Sequence, residues 1–241
     1  MKLALIGGTG ALGLFEVKDE CVMTSRFGEA SAPAARVSLA GRKAWFLARH
    51  GRPHRIPPHR INYRANIDGL KQLGVDGIVA INAVGGIDPA LPPGSLVIPD
   101  QLIDYTWGRV HSFSDDAASP LLHVEFSNPF EGGLRKALLA AAEAAELEVV
   151  SSGCVAVTQG PRLETAAEVR RLQCDGCTVV GMTSMPEAAL AREAGLDYAS
   201  LCVVANAAAG VGDAPISLEE IERVLASTMG VAVRLLDKIV L

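Results

Sequence analysis

Residues 2–13 read Lys2-Leu3-Ala4-Leu5-Ile6-Gly7-Gly8-Thr9-Gly10-Ala11-Leu12-Gly13, and the fold depends on what this stretch is taken to be. The run through Ile6 is short and apolar, the signature of a buried strand, and it empties into glycines. Gly8-x-Gly10-x-x-Gly13 directly after a strand fits the dinucleotide-binding pattern, and with it an NAD-dependent oxidoreductase. That reading also requires a firm helix next, then a second parallel strand ending in an acidic residue. The next residues hold few helical signals and lead into a hairpin. Glu29, near the required distance, sits in a Gly/Ala/Ser-rich stretch. The loop reads better as an anion loop with backbone N–H groups and the Thr9 hydroxyl as donors, or as glycines that permit a tight turn.

Outward from this loop, residues 36–39 and 43–48 flank Ala40-Gly41-Arg42 and predict a β-hairpin. Residues 62–73 carry helical spacing and stop at Gly74. A fully apolar strand is expected over 77–82, followed by a turn at Ala83-Val84-Gly85-Gly86, with another strand at 95–98. Residues 115–130 read as an irregular excursion. Helices are expected at 132–146, 165–173, 185–194 and 217–236, with strands at 152–158, 178–181 and 201–205. Strands alternate with helices, but a hairpin and a long loop interrupt them. The expected architecture is a three-layer α/β/α fold with a mixed central sheet. No repeat or linker divides residues 1–241, so one domain is expected.

The composition narrows the partners. Half the chain (49%) is apolar, enough for a large core. The formal net charge of −5, with no stripe of Lys or Arg, argues against nucleic acid. No apolar stretch approaches the ~18 residues that span a bilayer, and the glycines at 7–10 end the first apolar run too early for a signal peptide. No membrane association and a cytoplasmic location are therefore expected. The five cysteines lack a framework spacing, and Cys174-Asp-Gly-Cys177 has no second pair or nearby His, so it reads as structural rather than zinc-binding or redox-active.

Cations do cluster once. Four arginines and three of the five histidines fall within residues 49–60, launched from a strand: Arg49-His50-Gly51-Arg52-Pro53-His54, then Arg55, His59 and Arg60. Arginine gives bidentate, charge-assisted bonds to phosphate oxygens, and ligands of α/β folds bind at strand C-termini. An anion site is expected here.

Several blocks, in order, resemble the trimeric 5'-methylthioadenosine phosphorylase family of nucleoside phosphorylases. They are Ile6-Gly7-Gly8-Thr9-Gly10, Arg49-His50-Gly51-Arg52, Asn62-Tyr63-Arg64-Ala65-Asn66, Gly160-Pro161-Arg162, Met182-Thr183-Ser184-Met185-Pro186-Glu187 and Ala191-Arg192-Glu193-Ala194-Gly195. They cover nearly the whole chain. The resemblance implies an α/β homotrimer that cleaves a purine nucleoside with inorganic phosphate as co-substrate, without metal or organic cofactor. It implies a phosphate site of Thr9, Arg49, His50, Asn82, Ala83 and Thr183, with Asn82 where the adenosine-preferring enzymes have threonine. It places Met182 against the ribose, His54 near phosphate and ribose, and His123 at a neighbouring subunit's sugar pocket.

The chain departs from the adenosine enzymes at the base. They carry Ser after Gly-Pro-Arg-Phe and Thr-Asp-x-Asp at the end of the last strand. Here the residues are Gly160-Pro161-Arg162-Leu163-Glu164-Thr165 and Ala205-Asn206-Ala207-Ala208. A 6-amino group donates and suits carboxylates. A 6-oxo group accepts, so the Asn206 amide can donate to O6 and engage N7 while Glu164 accepts N1–H. The Glu/Asn pair is similar to that of trimeric phosphorylases acting on inosine and guanosine. Helix capping by Glu164 and turn formation by Asn206 are the structural alternatives. At the 5' end the inosine enzymes commonly use a histidine, and this chain has none after His123. Pro215, Ile216, Leu218 and Ile221 offer an apolar wall suited to a methylthio group. The expected nucleoside contacts are thus Met182, Leu163, Glu164, Asn206, Ala207, Ala208, Leu218, Ile221 and, from the neighbour, His123. Asn206, His50 and Arg49 are the expected catalytic groups and 5'-methylthioinosine the expected substrate. 5'-Methylthioadenosine or inosine/guanosine phosphorolysis, a hydrolytic nucleosidase and a non-catalytic binding module are the competing readings.

Overall fold

The first strand, β1 (Leu3–Gly7), is buried along its whole length and takes parallel partners on both sides. The computed structural model describes all residues except 9, 10, 12, 14, 40, 115–118, 120, 213, 214 and 241. Thr9, Gly10 and Leu12 of the glycine loop thus lie outside the described residues. After the loop come β2 (Asp19–Cys21) and the antiparallel pair β3 (Ala34–Leu39) and β4 (Arg42–Ala48). The expected hairpin is present, and β4 returns parallel to β1 with no helix between them among the described residues. This connection is incompatible with the dinucleotide-binding unit.

Helix α1 (Tyr63–Gln72) is capped by Asn62, whose side chain accepts from the Ala65 amide, and leads to β5 (Gly77–Gly86). Then come β6 (Leu96–Val97), β7 (Gln101–Asp104), α2 (Gly133–Ala144), β8 (Cys154–Val157), α3 (Ala166–Cys174), β9 (Val179–Gly181), α4 (Ser184–Glu193), β10 (Asp197–Ala207) and α5 (Leu218–Leu236). The described strands join one mixed sheet, ordered β2-β3-β4-β1-β5-β9-β8-β7, with β10 on the other side of β5 and β6 antiparallel to β10. One helix pair, α2 and α5, packs on β10; the other, α1 with α4, reaches β5 and β10 through α4. No helix among the described residues is long and apolar enough to cross a membrane.

Three expectations change. The turn expected at residues 83–86 is strand: β10 pairs with β5 through Gly86, and tertiary pairing overrides the local glycine signal. The last strand starts at Asp197, not 201, and runs past 205 through a bulge between Val204 and Asn206. The short strands β2 and β7 carry no alternation strong enough to be seen in advance.

The sheet splits at β5. On the side away from β10, β1 pairs with it as far as Ile81, and β9 takes over antiparallel from Gly85. Residues 82–84 are left without a strand on that edge. Crevices of this kind, outside strand ends, are where α/β folds bind ligands.

Candidate active site

A cavity of about 520 Å³ opens at this split. Its lining comes from Gly8 after β1, Arg49 and His50 after β4, Ala83–Gly85 of β5, Gly181–Thr183 after β9, and Asn206 of β10. Five strand ends thus converge on one space.

Arg49 sits at the cationic end of the cavity and is 1% exposed. Its Nε and Nη2 donate to the two carboxylate oxygens of Glu187 at 2.7 and 2.8 Å, and Glu187 also accepts from the Tyr198 hydroxyl at 2.9 Å. Burial opposes the charge on Arg49, but Glu187 more than offsets it and holds the guanidinium above its ordinary pKa. Nη1 spends one hydrogen on the Ile81 carbonyl at 3.4 Å and also lies beside Gly8, where a Cβ would meet it at 3.4 Å. The absence of that Cβ leaves the space beside the guanidinium open. His50 flanks the same space, its Nδ1 2.7 Å from the Ile56 carbonyl and its ring stacked 4.4 Å from that of His54. Burial, then the neighbouring Arg49, pushes His50 down to about 4, and burial lowers His54 as well.

Thr183 and Ala83 line the cavity, but Asn82 does not. The Asn82 amide is buried, donating to Ser200 Oγ at 2.8 Å and accepting from Thr183 Oγ1 at 3.1 Å. It reaches the cationic end only through Thr183.

At the opposite end Glu164 and Asn206 line the cavity together. Neither serves the structural role that sequence allowed it. The helix cap belongs to Thr165 and Glu168, which form a reciprocal capping box, while Glu164 accepts from the Thr158 hydroxyl at 2.6 Å. Asn206 lies within β10, not in a turn, and the bulge before it re-aims its side chain. Its Nδ2 donates to the Ala207 carbonyl at 2.8 Å. Ala208 lines the cavity; Ala207 does not, because its methyl alternates to the other face, toward Gly212. Met182 lines the cavity beside Gly160, whose backbone, at φ +59, comes so near that a Cβ there would clash with Met182 Sδ. Leu163, Ile216, Leu218, Ile221 and Leu225 supply an apolar wall, joined by Glu222. His123 is exposed and does not line this chain's own cavity.

The phosphorylase superfamily model matches residues 2–241. The chain belongs to the phosphorylase superfamily. It is 54% identical over 222 residues to a Xylella fastidiosa protein described as a probable S-methyl-5'-thioinosine phosphorylase, covering 91% of this chain and 94% of the relative. It is 42% identical over 226 residues to the 6-oxopurine nucleoside phosphorylase of Pyrococcus furiosus, covering 91% and 84%. The methylthioadenosine phosphorylase of Schistosoma mansoni, solved in complex with adenine, superposes with a TM-score of 0.93 at 30% identity, covering 99% of this chain and 90% of that one.

Two side chains of this phosphorylase that hold the site together are not announced by the sequence. Glu187 stands inside a quoted motif, yet its role as the counter-charge of Arg49 depends on tertiary contact. Arg109 has no signal beyond that of a lone basic residue. It is half-buried, and Nη1 donates to the carbonyls of Met182 (2.8 Å) and Met185 (2.5 Å) and to the Tyr63 hydroxyl (3.3 Å). Nη2 donates to the carbonyls of Thr158 (3.2 Å) and Gln159 (2.8 Å), and Nε to Gln159 Oε1 at 3.1 Å. One planar cation thus ties the strand ends that carry Met182 and lead to Glu164.

Proposed function

We propose that this chain cleaves S-methyl-5'-thioinosine with inorganic phosphate, giving hypoxanthine and 5-methylthioribose 1-phosphate. The observation that carries the reading is one cavity with the buried Arg49/His50 pair at one end and Glu164 with Asn206 at the other. The names of the Xylella and Pyrococcus relatives agree with it at the base. Arg49 Nη1, His50 and Thr183 hold phosphate, and Thr9, outside the described residues, is the further donor that the family resemblance implies. Met182 lies under the ribose, and Ile216, Leu218 and Ile221 take the methylthio group, whose burial suits an apolar wall.

Catalysis in this reading is positioning and electrostatics. The C1'–N9 bond breaks with its electron pair going to the purine, leaving an oxocarbenium-like sugar similar to that of glycoside hydrolysis. A phosphate oxygen adds to C1', and the proton that hydrogen phosphate brought is balanced by the one the leaving purine takes up. Asn206 stabilises the leaving base at N7 and O6, and Glu164 accepts N1–H. The reaction needs no metal or organic cofactor.

The homotrimer belongs to the same proposal. Support comes from exposed apolar side chains, namely Leu163 and Leu218 of the cavity lining and Trp107, Leu121 and Leu122 on the surface. His123 adjoins Leu122 and reaches a neighbour's sugar pocket in the assembled trimer. Cleavage of 5'-methylthioadenosine is the second reading, favoured by the Schistosoma neighbour.

The test is initial rates on methylthioinosine, methylthioadenosine, inosine and adenosine, with and without phosphate. Methylthioinosine should have the highest kcat/KM and release hypoxanthine only when phosphate is present. Base release without phosphate overturns phosphorolysis, and a higher kcat/KM for methylthioadenosine overturns the base assignment.

A further inference from the structure

The anion end holds a donor and an acceptor side by side. The Ile56 carbonyl can only accept, so the hydrogen on the 2.7 Å contact belongs to His50 Nδ1. The loop makes this contact obligatory, because the amides of Arg55 and Ile56 both fold back onto the His50 carbonyl at 2.9 Å. His50 is 8% exposed, and the charges that face its ring are Arg49 and the stacked imidazole of His54, both of which oppose a second positive charge. Glu187, the carboxylate behind this end, is already spent on Arg49 and Tyr198. The ring is therefore neutral, and its Nε2 carries a bare lone pair.

His50 lines the cavity, and its Nε2 edge borders the space in front of Gly8. A Cβ on Gly8 would stand 3.3 Å from His50 Cδ2, 3.4 Å from His50 Nε2 and 3.4 Å from Arg49 Nη1, so the Cδ2–Nε2 edge of the ring and the guanidinium border one small volume in front of Gly8. An anion seated there meets an N–H from Arg49 and an acceptor from His50. Hydrogen phosphate satisfies both, because one of its oxygens carries a proton. Sulfate has the same shape and the same charge above neutral pH but no proton, so it sets an oxygen lone pair against Nε2. Buried polar groups left without a partner are costly.

We propose that His50 Nε2 accepts the P–O–H hydrogen of hydrogen phosphate and so makes this site selective for protonated tetrahedral oxyanions over sulfate. The proposal rests on the reading of this cavity as a phosphate site and adds which anion it takes and why.

The experiment is calorimetric binding to the full chain at pH 8 of four probes: phosphate, arsenate, sulfate and monofluorophosphate. Monofluorophosphate matches hydrogen phosphate in charge but has fluorine in place of the hydroxyl. Arsenate should bind like phosphate, while sulfate and monofluorophosphate should bind about tenfold or more weakly, the factor expected for one unmet buried hydrogen bond. In His50→Gln the carboxamide can present either N–H or C=O, so the ratio should collapse toward one. Circular dichroism establishes that the variant is folded; if it is not, the wild-type ratios alone decide. Sulfate or monofluorophosphate binding within about fivefold of phosphate overturns the proposal, and so does a ratio that survives unchanged in folded His50→Gln. Phosphate-dependent cleavage with unselective anion binding defeats this inference alone. Cleavage without phosphate, and no binding of any oxyanion, defeats the phosphorolysis reading with it.

Discussion

Replacing Glu187 by Gln tests whether the anion end is held by a buried charge pair. The carboxylate is 0% exposed and accepts three hydrogen bonds, two from Arg49 and one from Tyr198. The amide keeps one acceptor oxygen and turns an NH2 group against a donor, so the Arg49 cation stays buried without its counter-charge. Removing one partner of a buried pair costs about 3–5 kcal/mol. For a chain of this size each kcal/mol moves the midpoint by about 2–4 °C, so Tm should fall by about 6–20 °C. Phosphate should then recover more of the loss in the variant than it adds to the wild type, because it becomes the principal counter-charge available to Arg49. Differential scanning calorimetry with and without saturating phosphate measures both. A loss of less than about 2 °C, well below the range from a buried pair, would refute the reasoning, as would an equal phosphate effect on both proteins.

Three further outcomes rest on the same contacts. Asn206→Asp should shift the kcat/KM ratio from methylthioinosine toward methylthioadenosine by about 5- to 150-fold, the value of 1–3 kcal/mol for one buried polar mismatch; an unchanged ratio removes Asn206 from base recognition. Arg109→Ala should raise the nucleoside KM by about tenfold or more and respond to added guanidinium, whereas Arg109→Lys should not recover, because a point charge cannot span four carbonyls on two segments; indifference to guanidinium would leave Arg109 a merely structural residue. His50 is near 6.5 in the unfolded chain and about 4 when folded, so as pH falls from 6.5 toward 4 the unfolded chain takes the proton first. Its contribution is complete above 6.5 and should be lost over that window by about 3 kcal/mol, with His54 acting in the same direction. Urea unfolding at pH 7 and pH 4.5 reads the slope, which His50→Asn should flatten.

Local signals carry most of the fold. The helices stand within about two residues of their caps and periodicity because Asn62, Thr165 and Ser217 are N-caps whose side chains accept backbone N–H groups. The dinucleotide pattern can be set aside from sequence alone, since the segment after Gly13 lacks a helix signal. Residues 83–86 read as a turn because local chemistry there favours one, and it is pairing with β10, and with β9 at Gly85 and Gly86, that makes them strand. The site is legible in the same uneven way. Arg49, His50, Glu164 and Asn206 carry chemistry that their residue types announce. Ala207 can be assigned to a face only once the bulge has set the alternation of β10. Glu187 and Arg109 act through contacts 138 and up to 76 residues away in the chain, which no spacing reports.

The two ends of the cavity are built at different cost, and this bears on how such a site changes its substrate. At the anion end, Arg49, Glu187, Asn82 and Ser200 are all buried and satisfied by one another, so altering one strands another. Glu164 and Asn206, by contrast, are only partly buried, and their local bonds go to a single hydroxyl and a single carbonyl. Replacing them leaves few groups unpaired in the protein itself; the unpaired groups arise in the complex with the wrong base. The penalty therefore falls on recognition and not on folding. On the reading proposed for this cavity, a frame that keeps the split in the sheet and the buried pair can exchange Glu164 and Asn206 at little cost to folding. Asn206→Asp should accordingly change base preference with a Tm within about 2 °C of wild type, the scale of a surface substitution, and a loss as large as that of Glu187→Gln would refute this division of labour.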